Sequence, residues 1–163
     1  GGTRVPFVAR WPGHIPKGAT TDQLTCLTDV LATFAALIGE PLPKGAGPDS
    51  VNQLPALLGK QEGLISPRPA MVTATYRGLL TLRPDNWKAI FGTKWSGGHT
   101  SPTYGGLGPD ETRDDPNSGQ LYNLAEDAYE QNDRWETRPD IVKQLRDQLE
   151  KIEQLEPSDK FRQ

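Results

Sequence analysis

The most apolar stretch of the chain, residues 30–38, carries helix signals at both ends. Thr28 or Asp29 precedes it as an N-cap candidate, and Gly39 follows where a left-handed C-terminal residue is expected, with Pro41 beyond. Apolar residues cover most of the circumference of this predicted helix, so it has to be buried on more than one side. Because the rest of the chain offers few other strongly apolar elements, we expect a partner domain that covers it.

Composition limits both the fold and the partners of the 163-residue chain. Its 17 glycines and 15 prolines predict much loop and few long regular elements, in one domain or one domain with an appendage. The net charge of −3 argues against nucleic-acid binding. Residues 30–38 are too short to cross a bilayer, and the single Cys26 excludes an internal disulfide. We therefore expect no nucleic acid and no membrane among its partners.

The first residues of the chain resemble the interior of a packed strand. Residues 1–4, Gly-Gly-Thr-Arg, lack a methionine and lead directly into an apolar run over residues 5–11. That run is rich in β-formers and closes at Pro12 and Gly13, which predicts a strand. We expect the chain to be a piece of a longer protein.

The second half of the chain predicts a small antiparallel sheet with one packed helix. Short turns or a long glycine-rich loop separate the four β-like stretches, which are residues 70–76, 79–82, 87–91 and 121–124. A helix follows from Pro139, and its apolar residues recur on one face as far as Ile152. This part of the chain is therefore expected to be α+β.

No complete catalytic set is present in the sequence. His99 lies in a glycine-rich loop near Trp95 and Lys94, a composition that lets backbone and imidazole approach a ligand closely, although a plain surface histidine explains it as well. His14 lies in a Pro/Gly turn and is expected to be structural or solvated. Cys26 stands among apolar residues, which favours a small core residue over a nucleophile.

The acidic and aromatic residues also favour structural roles. A run of carboxylates lacks the spacing of a dedicated calcium loop and reads as a solvated loop; its members are Asp110, Glu111, Asp114 and Asp115. The four tryptophans are expected in the core or covering the sheet: Trp11, Trp87, Trp95 and Trp135. The carboxylates therefore do not predict a calcium site, and the tryptophans do not predict a sugar-binding platform.

Several short motifs nevertheless occur in a fixed order. Their sequences are Gly-Gly-Thr-Arg-Val-Pro (1–6), Trp-Pro-Gly (11–13), Asp-Val-Leu-Ala-Thr (29–33), Gly-Glu-Pro-Leu-Pro (39–43), Trp-Lys (87–88) and Leu-Tyr-Asn-Leu-Ala-Glu-Asp (121–127). Together they resemble the C-terminal part of the type I sulfatases, the arylsulfatase family within the alkaline phosphatase superfamily. Ala32 and Ala128 stand where that family usually has proline, and residues 92–119 match no family motif.

The resemblance implies an α/β fold for the whole protein. Residues 1–45 would supply the last strand and helix of the large sulfatase-type domain, residues 46–68 a connector, and residues 69–163 the small α+β subdomain. The catalytic formylglycine of the family arises from Cys or Ser in a Cys/Ser-x-Pro/Ala-x-Arg motif, beside calcium held by upstream carboxylates. Cys26 is followed by Leu27-Thr28-Asp29-Val30 and does not fit. No catalytic or metal-binding residue therefore transfers, and the chain alone is expected to be inactive and to bind neither cofactor.

The resemblance also implies the partners. The full-length parent would hydrolyse sulfate esters of small molecules or carbohydrates, in the periplasm or after secretion, and this chain would pack on the N-terminal sulfatase domain. Small C-terminal domains furnish pocket walls, so the loop of residues 94–104 is the expected substrate contact, through His99, Trp95 and Lys94. Two alternatives stay open: a phosphonate or phosphate ester hydrolase of the same superfamily, and a non-catalytic interaction or carbohydrate-binding module with loops around Trp95 and Tyr104.

Overall fold

The computed structural model describes residues 5–60, 68–74, 79–92 and 118–154. The chain divides into two compact units, the first ending at Arg68 and the second beginning at Pro69. Within the described ranges, no helix combines the length and the apolarity needed to cross a bilayer.

The first unit contains two helices, α1 (Asp29–Ile38) and α2 (Leu54–Leu57). The predicted end of α1 is confirmed: Gly39 adopts the left-handed conformation at φ 78°, and the terminal N–H groups bond to the carbonyls of Ala35 and Ala36. A glycine suits this position because it has no Cβ to clash there.

The predicted start of α1 is right in position and wrong in mechanism. Thr28 has helical backbone angles and makes no side-chain cap bond. The Asp29 carboxylate instead accepts the N–H of Cys26, which lies before the helix. A first-turn N–H of the helix, that of Ala32, is satisfied by the Ser50 hydroxyl at 2.8 Å. The helix start is thus capped in part by a residue distant in sequence.

The strand expected over residues 5–11 is not formed in this chain. These residues have no regular secondary structure and their side chains are exposed. A turn follows, in which the Ile15 N–H bonds to the Trp11 carbonyl. A strand exists only when its backbone groups pair with a neighbour, and no described strand lies beside this segment. The prediction fails because the sequence pattern reports β-propensity and burial but cannot supply the partner.

The second unit is an antiparallel sheet covered by a helix. Its elements are β1 (Met71–Ala74), β2 (Leu80–Arg83), β3 (Trp87–Phe91), β4 (Gly119–Asn123) and α3 (Pro139–Gln154). The strands follow chain order β1-β2-β3-β4, with Val72 opposite Leu82 and Ala89 opposite Leu121. The α+β prediction for this piece is confirmed, and β4 lies at one edge of the described sheet.

The core of the second unit lies between one sheet face and α3. Its buried members include Leu82, Leu121, Trp135, Leu145 and Leu149. Leu145 and Leu149 are the buried residues of α3, which confirms the apolar face read from its periodicity. Trp135 is a core residue as expected, and it packs edge-on against Phe91.

Candidate interaction surface

The predicted substrate-contact residues lie outside the described part of the chain. Lys94, Trp95 and His99, together with Tyr104 and the acidic run, belong to residues 93–117, whose placement is not described. The structure therefore neither groups them nor separates them.

The other two candidates from the sequence have local roles. His14 is exposed and stacks on Trp11, with the ring centroids 3.8 Å apart and the planes 9° apart. Its Nδ1 lies 3.3 Å from the Pro12 carbonyl. Cys26 is half-buried, and its Sγ lies 2.8 Å from the Thr28 hydroxyl. Among the described residues, the His14 ring bonds to a carbonyl and the Cys26 thiol to a hydroxyl, so neither side chain is paired with a base or carboxylate as a catalytic pair requires.

Helix α1 is inverted relative to an ordinary surface helix. The two residues that it buries are polar: Asp29 is 2% exposed and Thr33 is 4% exposed. Its large apolar residues face outward, with Phe34 59% and Ile38 71% exposed. A helix of a soluble domain normally buries its apolar stripe and hydrates its polar side, so this orientation marks a surface that a partner covers.

We call the exposed apolar side of α1 its outer face, defined by Val30, Leu31, Phe34, Leu37 and Ile38. Their spacing of three and four residues places them together on the helix surface. The irregular opening segment adds Val5, Phe7 and Val8, all exposed, Val8 to 90%. This exposed surface agrees with the expectation that the helix of residues 30–38 needs a partner to cover it.

A buried charge network holds the inner side of α1. The Asp29 carboxylate accepts both Nε–H and Nη2–H of Arg68, and the pair is buried. It also accepts the backbone N–H of Cys26 and of Val51, each at 3.0 Å, and the Gln53 amide at 3.3 Å. We call these groups the Asp29–Arg68 network. Every lone pair direction of this carboxylate has a donor, which is the condition for burying a charge without a large penalty.

The network extends to the neighbouring backbone. Arg68 Nη2 donates to the Asp49 carbonyl at 2.7 Å. The Thr33 hydroxyl donates to the Asp29 carbonyl at 2.6 Å and accepts the N–H of Gln53 at 3.0 Å. One polar cluster thus ties the helix start, residues 49–53 and the end of the first unit together.

Sequence reasoning missed this network. The sequence marks Asp29 as a helix-cap candidate and a motif residue, and it places Arg68 in the connector of residues 46–68. The one signal present was a charged residue at the margin of a helix that is otherwise apolar, because such a residue needs a partner if that side is buried. Its partner lies 39 positions away, and no local pattern identifies it.

Among the described residues, the groups with displaced pKa values are Asp127 and charged residues around the start of α3. Backbone N–H groups, first that of Gln131, hold the pKa of Asp127 below its ordinary value. The hydrogen bond from Arg138 lowers the pKa of Asp140 at the start of α3. Both carboxyls therefore stay ionised at neutral pH and are unsuited to act as general acids.

The described residues offer no metal centre. They contain no group of three or more histidine, cysteine, aspartate and glutamate side chains placed to hold a metal ion. The second unit does carry an open groove of about 290 Å³ whose apolar floor includes Leu80, Phe91 and Leu149. Arg146 lies at this groove with its guanidinium 5.2 Å from the Phe91 ring. The residues that line this groove include no nucleophile with an adjacent base.

Comparison with known proteins identifies the relatives of the chain. No protein-family profile matches it. It is 32% identical over 160 residues to an N-acetylgalactosamine-6-O-sulfatase of Bacteroides thetaiotaomicron, a match that covers 93% of this chain and 27% of that protein. It is also 32% identical to arylsulfatase G of Rattus norvegicus, covering 93% of this chain and 30% of the relative. The chain thus spans less than a third of the length of these curated relatives.

A solved structure agrees with the sequence matches. It is a sulfatase from Bacteroides thetaiotaomicron, described in connection with the metabolism of multiple glycosaminoglycans. The two chains share 31% identity and a TM-score of 0.57, over 76% of this chain and 24% of the other. The chain belongs to the sulfatase family and corresponds to a C-terminal portion of its members.

Proposed function

We propose that this chain is the C-terminal part of a sulfuric ester hydrolase and completes the fold of the domain that carries the reactive centre. Two observations support the proposal: similarity to sulfatases over 93% of the chain, and an α1 helix that turns its apolar side outward. One of the relatives is named an N-acetylgalactosamine-6-O-sulfatase, and one solved relative is linked to glycosaminoglycans. A sulfated carbohydrate is therefore the substrate class that we propose for the parent.

The partner of the outer face is the upstream α/β domain of the same protein. Residues 5–11 carry apolar side chains at successive positions, such as Phe7 and Val8, so a strand formed there is apolar on both sides. Strands of this kind lie inside parallel sheets that helices cover on both faces. We propose that residues 5–11 pair as such a strand and that α1 covers the same sheet.

The cofactors belong to the upstream part in this proposal. Cys26 does not fit a formylglycine position, because Thr28 stands where the motif has Pro or Ala and Val30 where it has Arg. The described residues also lack a cluster that fits calcium. When bound in the parent, calcium neutralises charge that develops on the sulfate oxygens. The proposed location of the parent is the periplasm or the cell exterior.

The substrate walls come from the loop of residues 94–104. We keep His99, Trp95 and Lys94 as the proposed contacts with the organic part of the substrate, because discrimination between sulfate esters depends on groups around the leaving group.

The first test compares the parent with this chain alone. We expect the parent to release sulfate from 4-nitrophenyl sulfate and the isolated chain to release none above buffer. Parallel assays with 4-nitrophenyl phosphate and a phosphonate ester distinguish the sulfatase from the related hydrolases. Sulfate release by the isolated chain, or a parent that cleaves only the phosphorus esters, contradicts the proposal.

The second test replaces His99 by alanine in the parent. We expect a loss of about 10–100-fold in kcat/KM for a sulfated disaccharide and a smaller loss for 4-nitrophenyl sulfate, because the aryl ester lacks the sugar that the loop contacts. His14→Ala is the matched control, since it removes the other histidine, which stacks on Trp11. An unchanged ranking of the two substrates in His99→Ala contradicts the assigned contact.

A further inference from the structure

Helix α1 exposes its large apolar side chains, so another interaction must hold the helix in this orientation. Turning the helix about its axis would bury Leu31, Phe34 and Ile38 and expose Asp29 and Thr33, which is the ordinary amphipathic arrangement. The hydrophobic effect favours that turn, since each large apolar side chain gains on burial. Some interaction on the inner side of the helix therefore opposes it.

The buried charge network is that interaction. Turning α1 would separate Asp29 from Arg68, which is itself buried, and would break the bonds to the N–H groups of Cys26 and Val51. A buried guanidinium left without its carboxylate is strongly unfavourable. The Gln53 amide and the Thr33 hydroxyl would lose their partners as well.

We propose that the Asp29–Arg68 network is an orientation lock that keeps the outer face of α1 turned toward its docking partner. In this role the network does more than hold the helix in place. It also determines which side of α1 faces outward. The identity of the partner rests on the proposed function, but the lock itself concerns this chain alone.

The test measures which side of α1 is accessible. Cys26 is the single cysteine, so Cys26→Ser gives a thiol-free background for a reporter thiol placed on the outer side as Phe34→Cys or on the inner side as Thr33→Cys. With Asp29 and Arg68 both present, we expect a water-soluble maleimide to label position 34 about tenfold or more faster than position 33, because a buried thiol reacts only after local opening.

Removing both charges together tests the lock. In the Asp29→Ala/Arg68→Ala background, which removes both members of the pair together, we expect position 34 to become protected and the ratio of the two labelling rates to fall to about one or below. Two results overturn the proposal. A persistent preference for position 34 shows that other contacts orient the helix, and fast labelling at both positions shows that the network supplies stability only.

A control pair excludes a general effect of charge removal. Lys143 and Asp147 form an exposed ion pair on α3, with Nζ and Oδ2 2.7 Å apart. The Lys143→Ala/Asp147→Ala background is expected to leave the labelling ratio unchanged. Because these rates are measured on the isolated chain, a failed lock is distinguishable from a failed docking partner, which only the parent reports.

Discussion

Replacing Arg68 by alanine is expected to destabilise the first unit by about 3 kcal/mol, the lower end of what breaking a buried ion pair costs. The carboxylate left behind is Asp29, which is only 2% exposed. It would keep the N–H donors of Cys26 and Val51 but lose both bonds from the guanidinium. The Asp49 carbonyl would lose its donor too.

Amide hydrogen exchange of residues 29–38 measures the destabilisation caused by Arg68→Ala. The method suits a chain with two units because it reports on the first unit separately. A loss of about 3 kcal/mol corresponds to a fall of roughly 100-fold in protection of the slowest α1 amides. Lys143→Ala is the matched control, because it removes a cation from a pair whose side chains are 76% and 48% exposed and is expected to cost under about 1 kcal/mol. Equal protection in Arg68→Ala and Lys143→Ala would show that the buried pair contributes little.

The second unit follows from its sequence because its signals are local. Leu80 and Leu82 flank the more polar Thr81, and the turn between β2 and β3 contains Pro84 and Asp85. Each strand of this sheet neighbours the next one along the chain, so local patterns carry nearly all of the topology. The signals that predict α3, Pro139 at its start and the periodic apolar residues, likewise lie within the helix itself.

The first unit resists sequence reasoning because its interactions are distant. Ser50 caps the start of α1 from 18 positions away, and Arg68 binds Asp29 from 39 positions away. Neither Ser50 nor Arg68 belongs to a sequence motif that indicates which residue it contacts. The strand expected at residues 5–11 depends on a neighbour that no described part of the chain supplies. Only the apolar excess of residues 30–38, which local counting detects, correctly indicated an uncovered surface.

Replacing Phe34 by aspartate is expected to have opposite consequences in the isolated chain and in the parent. In the chain alone Phe34 is 59% exposed, so the change costs little beyond the helix propensity of aspartate, about 0.5–0.7 kcal/mol. In the parent, where the outer face is proposed to be covered, the same change forfeits the burial of a phenyl ring, about 1.5–3 kcal/mol. It also places a carboxylate without a partner in an apolar interface, which adds several kcal/mol.

The contrast between these two contexts tests docking more sharply than either measurement alone. Thermal unfolding of the parent should shift down by many degrees, with loss of soluble yield and of sulfate release, while the isolated chain keeps its stability and becomes more soluble. Gln144→Asp, on an exposed position of α3, is the control for introducing an acid into a helix and should alter neither protein. If Phe34→Asp leaves the parent as stable as the control does, the outer face is not covered by the upstream domain. An isolated chain that is destabilised as strongly as the parent would instead show that Phe34 supports the fold of the first unit, because the loss would then arise without any partner.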